Sequence, residues 1–163
     1  MSIKYVTGDA TAPQGDGPKF IVHICNDIGA WGSGFVLAVS KRWPQPEQHY
    51  LALAERLKGD ETLVLGMAQA VQVEDSIYVV NLIGQRSVAS KENPHPIRYW
   101  AVREGLLNIT HAALGLGASV HMPRIGCGLA GGLWEDIEPI IEDTLVFEGV
   151  PVTVYDLPRQ VGP

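Results

Sequence analysis

The chain has 163 residues, 46% of them hydrophobic and 18% charged, with a net charge of −6 and two cysteines. That length suits one domain with a substantial core. The acidic balance excludes a general nucleic-acid surface, which needs a basic patch, but leaves room for action on one modified nucleotide. Cys25 and Cys127 stand apart with no C-x-x-C pair, which argues against a disulfide framework or a zinc cluster.

No apolar run reaches membrane-spanning length, and the first residues lack a signal-peptide core, so a cytoplasmic location with no membrane partner is expected. In chain order, residues 3–6 read as a short strand ending in T-G-D-A, and residues 11–18 as a Pro/Gly-rich loop. Residues 20–25 form an apolar run of strand length with β-branched members, the pattern of a strand buried on both faces. A glycine-bearing loop over 26–34 leads into a helical pattern at 35–43 that stops at Pro44. The spacing of Tyr50, Leu53, Ala54 and Leu57 predicts a second helix over 46–58.

Strands follow at 66–73 and 77–83, joined by the polar turn E-D-S. Residues 84–96 form a polar loop, long enough to expect a function or mobility. The longest helix is predicted over 97–115, a strand and loop from Ser119, a helix over 133–147 and a closing strand at 152–155. This alternation predicts a single three-layer α/β/α sandwich with a mixed central sheet, and ligands at the C-terminal ends of its strands.

The stretch 119–134, S-V-H-M-P-R-I-G-C-G-L-A-G-G-L-W, runs from strand through a glycine-rich loop into a helix. Glycines let backbone approach a ligand, and the helix start after them is expected to add unpaired N–H donors. Such a loop binds phosphate without a lysine. Gly126-x-Gly128-x-x-Gly131 also matches the dinucleotide fingerprint, but about one strand's worth of chain follows it, too little for a Rossmann unit. A diphosphate cradle is the expectation; the bland alternative is a tight turn that closes the fold.

Four motifs in order, G-D-A-T, H-I-C-N-D-I-G-A-W-G-S-G-F, P-R-I-G-C-G-L-A-G-G-L-W and V-Y-D-L, resemble those of the macrodomains, which bind ADP-ribose. The resemblance covers essentially the whole chain, and P-R-I-G-C-G-L resembles the branch holding the terminal ADP-ribose protein glycohydrolase and its bacterial relatives. It implies ADP-ribose and mono-ADP-ribosylated substrates as partners, with no cofactor and no metal.

The resemblance implies that Asp9, with Ala10 beside it, accepts a hydrogen bond from the adenine amino group, and that Tyr155 stacks on the ring. A turn aspartate and a core tyrosine are the alternatives. It implies a first phosphate loop at Gly32, Ser33 and Gly34, running into Phe35. The second is Ile125, Gly126, Cys127, Gly128, Leu129 and Ala130. Asn26 matches the asparagine that contacts the distal ribose. Trp31, inside a glycine loop, is expected to flank that ribose.

The departures bear on chemistry. In the glycohydrolase branch a lysine attacks the ribose and an aspartate assists; those positions here are Gln85 and Ala130. In the other hydrolytic branch an aspartate follows the glycine loop, where this chain has Phe35 and Val36. Glutamine forms no Schiff base, so a lysyl intermediate is unavailable there. The expected substitute is a water oriented by Asn26, Asp27 or Gln85, assisted by the ligand's diphosphate, with Arg86 as a candidate phosphate holder. Cys25 and Cys127 read as packing residues, and His23, His111 and His121 are not spaced for zinc. The expected function is hydrolysis of mono-ADP-ribose from modified protein or nucleic acid; the alternatives are a non-catalytic ADP-ribose reader and an ADP-ribose 1″-phosphate phosphatase.

Overall fold

The computed structural model describes residues 1–158. Six strands, β1 (Lys4–Thr7), β2 (Lys19–Asn26), β3 (Ala68–Glu74), β4 (Ile77–Gln85), β5 (Ser119–Met122) and β6 (Val152–Asp156), form one sheet in the order β1-β6-β5-β2-β4-β3. All neighbours run parallel except the β3–β4 hairpin. The central β2 is buried along nearly its whole length, as its unbroken apolar run requires.

The helices are α1 (Phe35–Arg42), α2 (Gln45–Ala54), α3 (Tyr99–Leu116) and α4 (Trp134–Ile141). On one face of the sheet Phe20, Val22 and Val80 pack with Leu106 and Ile109 of α3 and Ile137 of α4. On the other, Ile21 and Val79 pack with Val39 of α1 and Trp43, while Cys25 and Ile83 pack with Tyr50 of α2. This is the expected three-layer sandwich. Five parallel strands send their C-terminal ends to one edge, so the loops after Thr7, Asn26, Gln85, Met122 and Asp156 gather there.

Two helices end earlier than the periodicity predicts. α2 stops at Ala54, after which the Arg56 and Leu57 N–H groups reach back three residues to Leu53 O (3.3 Å) and Ala54 O (3.0 Å) and tighten the last turn. α4 carries Pro139, and the chain then opens into a π-helical turn over Glu142–Val146. There the Thr144 hydroxyl donates to Ile140 O at 2.7 Å. A hydrophobic period cannot separate that turn from continued α-helix. Residues 86–96 are tied down: Gln85 bridges Ile97, the Arg86 N–H reaches Pro96 O at 2.9 Å, and Asn93 Nδ2 donates to Arg86 O at 2.8 Å.

Candidate functional site

Two cavities of about 200 and 220 Å³ open at this edge and share Ile24, Ser33, Val36, Gln85 and Leu129 as lining. They are two ends of one cleft between the loop at 27–34 and the loop at 123–133. Leu129, well exposed, leans across it: a Cβ built on Gly34 would stand 3.7 Å from Leu129 Cδ1.

The glycines divide into two kinds. Gly126 (φ 73°) and Gly131 (φ 75°) need left-handed backbone, and a Cβ on them would come within 2.8 Å of Ile97 Cδ1 and 2.7 Å of His95 Nδ1. These belong to the fold. Gly32 and Gly128 have no positive φ, and a Cβ on either would meet nothing within 4 Å. Both line the cleft, and a side chain there would stand in open space at its wall.

The helix start that opens on the cleft is that of α1, a correction to the expectation placed on the helix after the glycine-rich loop. Gly34 (φ 83°) is the α1 N-cap, no side chain caps the first turn, and no acidic residue lies in it. Ser33, Gly34, Phe35 and Val36 line the cavity, which sets unpaired N–H groups and the positive helix end beside it. The first turn of α4 carries Glu135 and Asp136 instead, and no α4 residue lines the cleft.

Of the second loop, Ile125, Gly126, Gly128, Leu129 and Ala130 line the cleft; Cys127 does not, and its Sγ lies 3.5 Å from Ile125 O. Burial pushes the Cys25 and Cys127 thiols up, so neither is a ready thiolate. Asn26, Gly32 and Gln85 line the other end, where Val88 and Ala89 from the loop after β4 complete the wall.

Asn26 is held on several sides. Its Oδ1 accepts from Ile28 N (3.1 Å) and Ala30 N (3.0 Å), while its Nδ2 donates to Ala30 O (2.7 Å), leaving one amide hydrogen free. The Tyr50 hydroxyl donates to Asn26 O at 2.6 Å, and burial pushes that hydroxyl's pKa up, which keeps it protonated. Gln85 Nε2 donates to Ser87 O at 2.9 Å.

Asp27 is completely buried and lines neither cavity; its Oδ1 accepts from Ser87 N at 2.7 Å. Its Oδ2 has no hydrogen-bond partner among the described residues and lies 3.9 Å from Arg86 Nη1. Asp27 therefore meets the cleft only through the backbone it holds. The departure from the expected water-orienting place has a plain cause: the chain turns after Asn26, and the next side chain points beneath the loop.

Trp31 is half-buried and faces inward. Its Nε1 donates to Ser40 Oγ at 2.8 Å, and its ring centroid lies 5.4 Å from those of His23 and Tyr50. His23 forms part of the cleft floor, with Nε2 2.6 Å from Asn81 Oδ1. Asn81 Nδ2 donates to Pro46 O and Gln69 Oε1, so its oxygen is the acceptor and His23 Nε2 carries the hydrogen. Burial pulls His23 down to about 4, which leaves it neutral near pH 7.

Asp9, Ala10 and Tyr155 line neither cavity; Asp9 is exposed and its Oδ1 accepts from Thr11 N (2.8 Å) and the Thr11 hydroxyl (2.7 Å), while Ala10 is buried beside it. Tyr155 is 3% exposed and its ring backs Gly8, so it supports the Asp9 turn from below and shows no open face. Its hydroxyl accepts from Gln14 N at 2.8 Å and lies 2.7 Å from His121 Nδ1. Sequence reasoning passed over Ile24, Val88 and Ala89, which carry no polar signal, and Arg124, which stood inside a quoted motif. Among the described residues no group of three His, Cys, Asp or Glu is placed to hold a metal ion, and no helix is long and apolar enough to cross a membrane.

Fold and cleft together define an α/β/α domain that offers two backbone loops and a helix start to an anionic ligand. No protein-family model matches the chain. It is 52% identical to a macrodomain protein from Streptomyces coelicolor, covering 95% of this chain and 99% of that one with a TM-score of 0.82. It is 30% identical to ADP-ribose glycohydrolase OARD1 of Bos taurus, covering 95% of this chain and 91% of the relative. Identity to chromodomain-helicase-DNA-binding protein 1-like of Mus musculus is 34% over 97% of this chain, which spans 18% of that protein's length and 15% of its Danio rerio counterpart. The chain belongs to the macrodomain family.

Proposed function

We propose that this macrodomain binds ADP-ribose in the cleft and hydrolyses mono-ADP-ribose from modified protein or nucleic acid without a lysyl intermediate. The observation that carries the reading is the pair Gly32 and Gly128, glycines that neither backbone strain nor packing demands, beside the uncapped start of α1. Backbone N–H groups with open space before them suit a diphosphate. The likeness to an ADP-ribose glycohydrolase supports the same ligand.

In this reading the adenine amino group meets Asp9, the diphosphate lies between the two loops, and the distal ribose reaches Asn26 and Gln85. The free Asn26 amide hydrogen and the Gln85 side chain orient ribose and water. Asp27 acts as a positioning residue through Ser87, and Trp31 stiffens the first loop from behind. Cleavage proceeds through an oxocarbenium-like ribose, and the adjacent diphosphate supplies the stabilising negative charge. The test is calorimetry with ADP-ribose, followed by release of free ADP-ribose from a panel of mono-ADP-ribosylated proteins and DNA. Failure to bind removes the reading altogether. Binding without release from any substrate selects the reader, which Gln85 in place of a nucleophilic lysine favours.

A further inference from the structure

The cleft is lined by a single charged side chain among the described residues, Arg124; the other polar linings are neutral. Arg124 also lines a separate hollow with Thr7, Asp156 and Leu157, so it stands where the cleft passes toward the Asp9 end of the sheet. Its Nε and Nη2 donate to the two Asp156 carboxylate oxygens at 2.7 and 3.0 Å. Its guanidinium carbon lies 5.2 Å from the ring centroids of both Tyr5 and Trp134. Those rings meet edge to face, and the Trp134 Nε1–H donates to Tyr5 Oη at 3.0 Å and to Glu138 Oε2 at 3.2 Å.

A guanidinium has five N–H donors in a planar fork, and the carboxylate uses two. Asp156 and the two rings thus fix the fork and, among the described residues, leave three donors unspent on a side chain that lines the cleft. A side chain already immobilised loses little further entropy when it takes a ligand, which makes it a better anchor than a free surface arginine.

We propose that Arg124 is a phosphate-binding residue of this site, taking the phosphate on the adenosine side through the donors that Asp156 leaves free. The inference rests on the ADP-ribose reading above and adds to it a charged contact beside the backbone cradle. Charge-assisted hydrogen bonds are roughly twice as strong as neutral ones. Asp156 keeps part of the compensating charge, so Arg124 holds its ligand without a bare cation lining the empty cleft.

The test is calorimetry of ADP-ribose with wild type, Arg124→Lys and two neutral variants, Arg124→Gln and Arg124→Met. Methionine keeps an apolar stem against Tyr5 and Trp134, so a folding failure of one neutral variant leaves the other, and thermal melting checks both. The expected order is wild type tightest, the lysine variant intermediate, and the neutral variants weaker than wild type by about tenfold. The two phosphates carry the only charges of ADP-ribose, so a loss that follows charge reports on them. Equal affinity of the lysine and neutral variants, whether as strong as wild type or equally weak, overturns the assignment. Wild type that fails to bind would instead remove the functional reading, so the two failures are distinguishable.

Discussion

Asp27 and Ser87 tie two loops together: the buried carboxylate accepts the Ser87 N–H at 2.7 Å, and Ser87 is the one described non-glycine residue with positive φ, 55°. The Asp27 N–H also donates to Gln85 O at 3.1 Å, so the chain leaving β2 sets the position of Gln85. Asp27→Ala is expected to cost about 1 kcal/mol of stability by removing the acceptor of the part-buried Ser87 N–H. Asp27→Asn, which keeps the Oδ1 acceptor and removes the buried charge, is expected to lose less. Urea denaturation of the pair decides it: equal stability of the alanine variant and wild type would show that the tie holds nothing.

Gly128→Glu is expected to abolish ADP-ribose binding and leave the melting temperature near wild type, because the new side chain enters open space in the cleft. Gly132→Ala is expected to lower the melting temperature as well as affinity, since its Cβ would overlap Gly126 O and force the loop apart. A Gly128→Glu variant that binds normally would make the second loop a turn and nothing more.

Asp9→Ala is expected to weaken ADP-ribose by about 1–3 kcal/mol through loss of the adenine acceptor. Asp9 Oδ1 also shapes the turn through Thr11, so Asp9→Asn separates the roles. Asparagine retains the turn and changes the charge facing adenine. Unchanged affinity of both variants by calorimetry removes Asp9 from the site.

Gln85→Ala is expected to lower the rate of ADP-ribose release more than affinity, since orienting water matters mainly in the transition state. Asn26→Ala is expected to lower both, because the same side chain braces the loop through Ile28 and Ala30. Borohydride added during turnover is expected to trap no adduct; a lysine adduct found by mass spectrometry, at Lys91 for example, would restore the lysyl route.

His23 and His121 are both pulled from 6.5 down to about 4, chiefly by burial, so each is neutral in the folded protein near neutrality. Their contribution to stability is complete above pH 6.5 and is lost as pH falls from there to about 4, where the unfolded chain takes up protons that the folded one refuses. Each contributes a slope of up to ~1.4 kcal/mol per pH unit in that window. Denaturation midpoints at pH 7 and pH 5 check it, and equal midpoints would mean that these imidazoles are free to protonate in the fold.

From the sequence alone the order of strands and helices, the mixed sheet and the sheet edge where the loops gather could be read. Those follow from local periodicity and from Gly and Pro at the breaks. The resemblance to macrodomain motifs pointed to the two loops, Asn26 and Gln85, all of which line the cleft. Only the tertiary structure decided which glycines the backbone itself demands, since Gly126 and Gly128 both line the cleft but differ in φ and in what a Cβ would touch. It likewise turned Asp27 and Tyr155 inward, set the open helix end at α1, and brought Arg124 against Asp156, Tyr5 and Trp134. Side-chain direction and partnership across distant segments are set by packing, and packing has no period along the chain for a sequence to display.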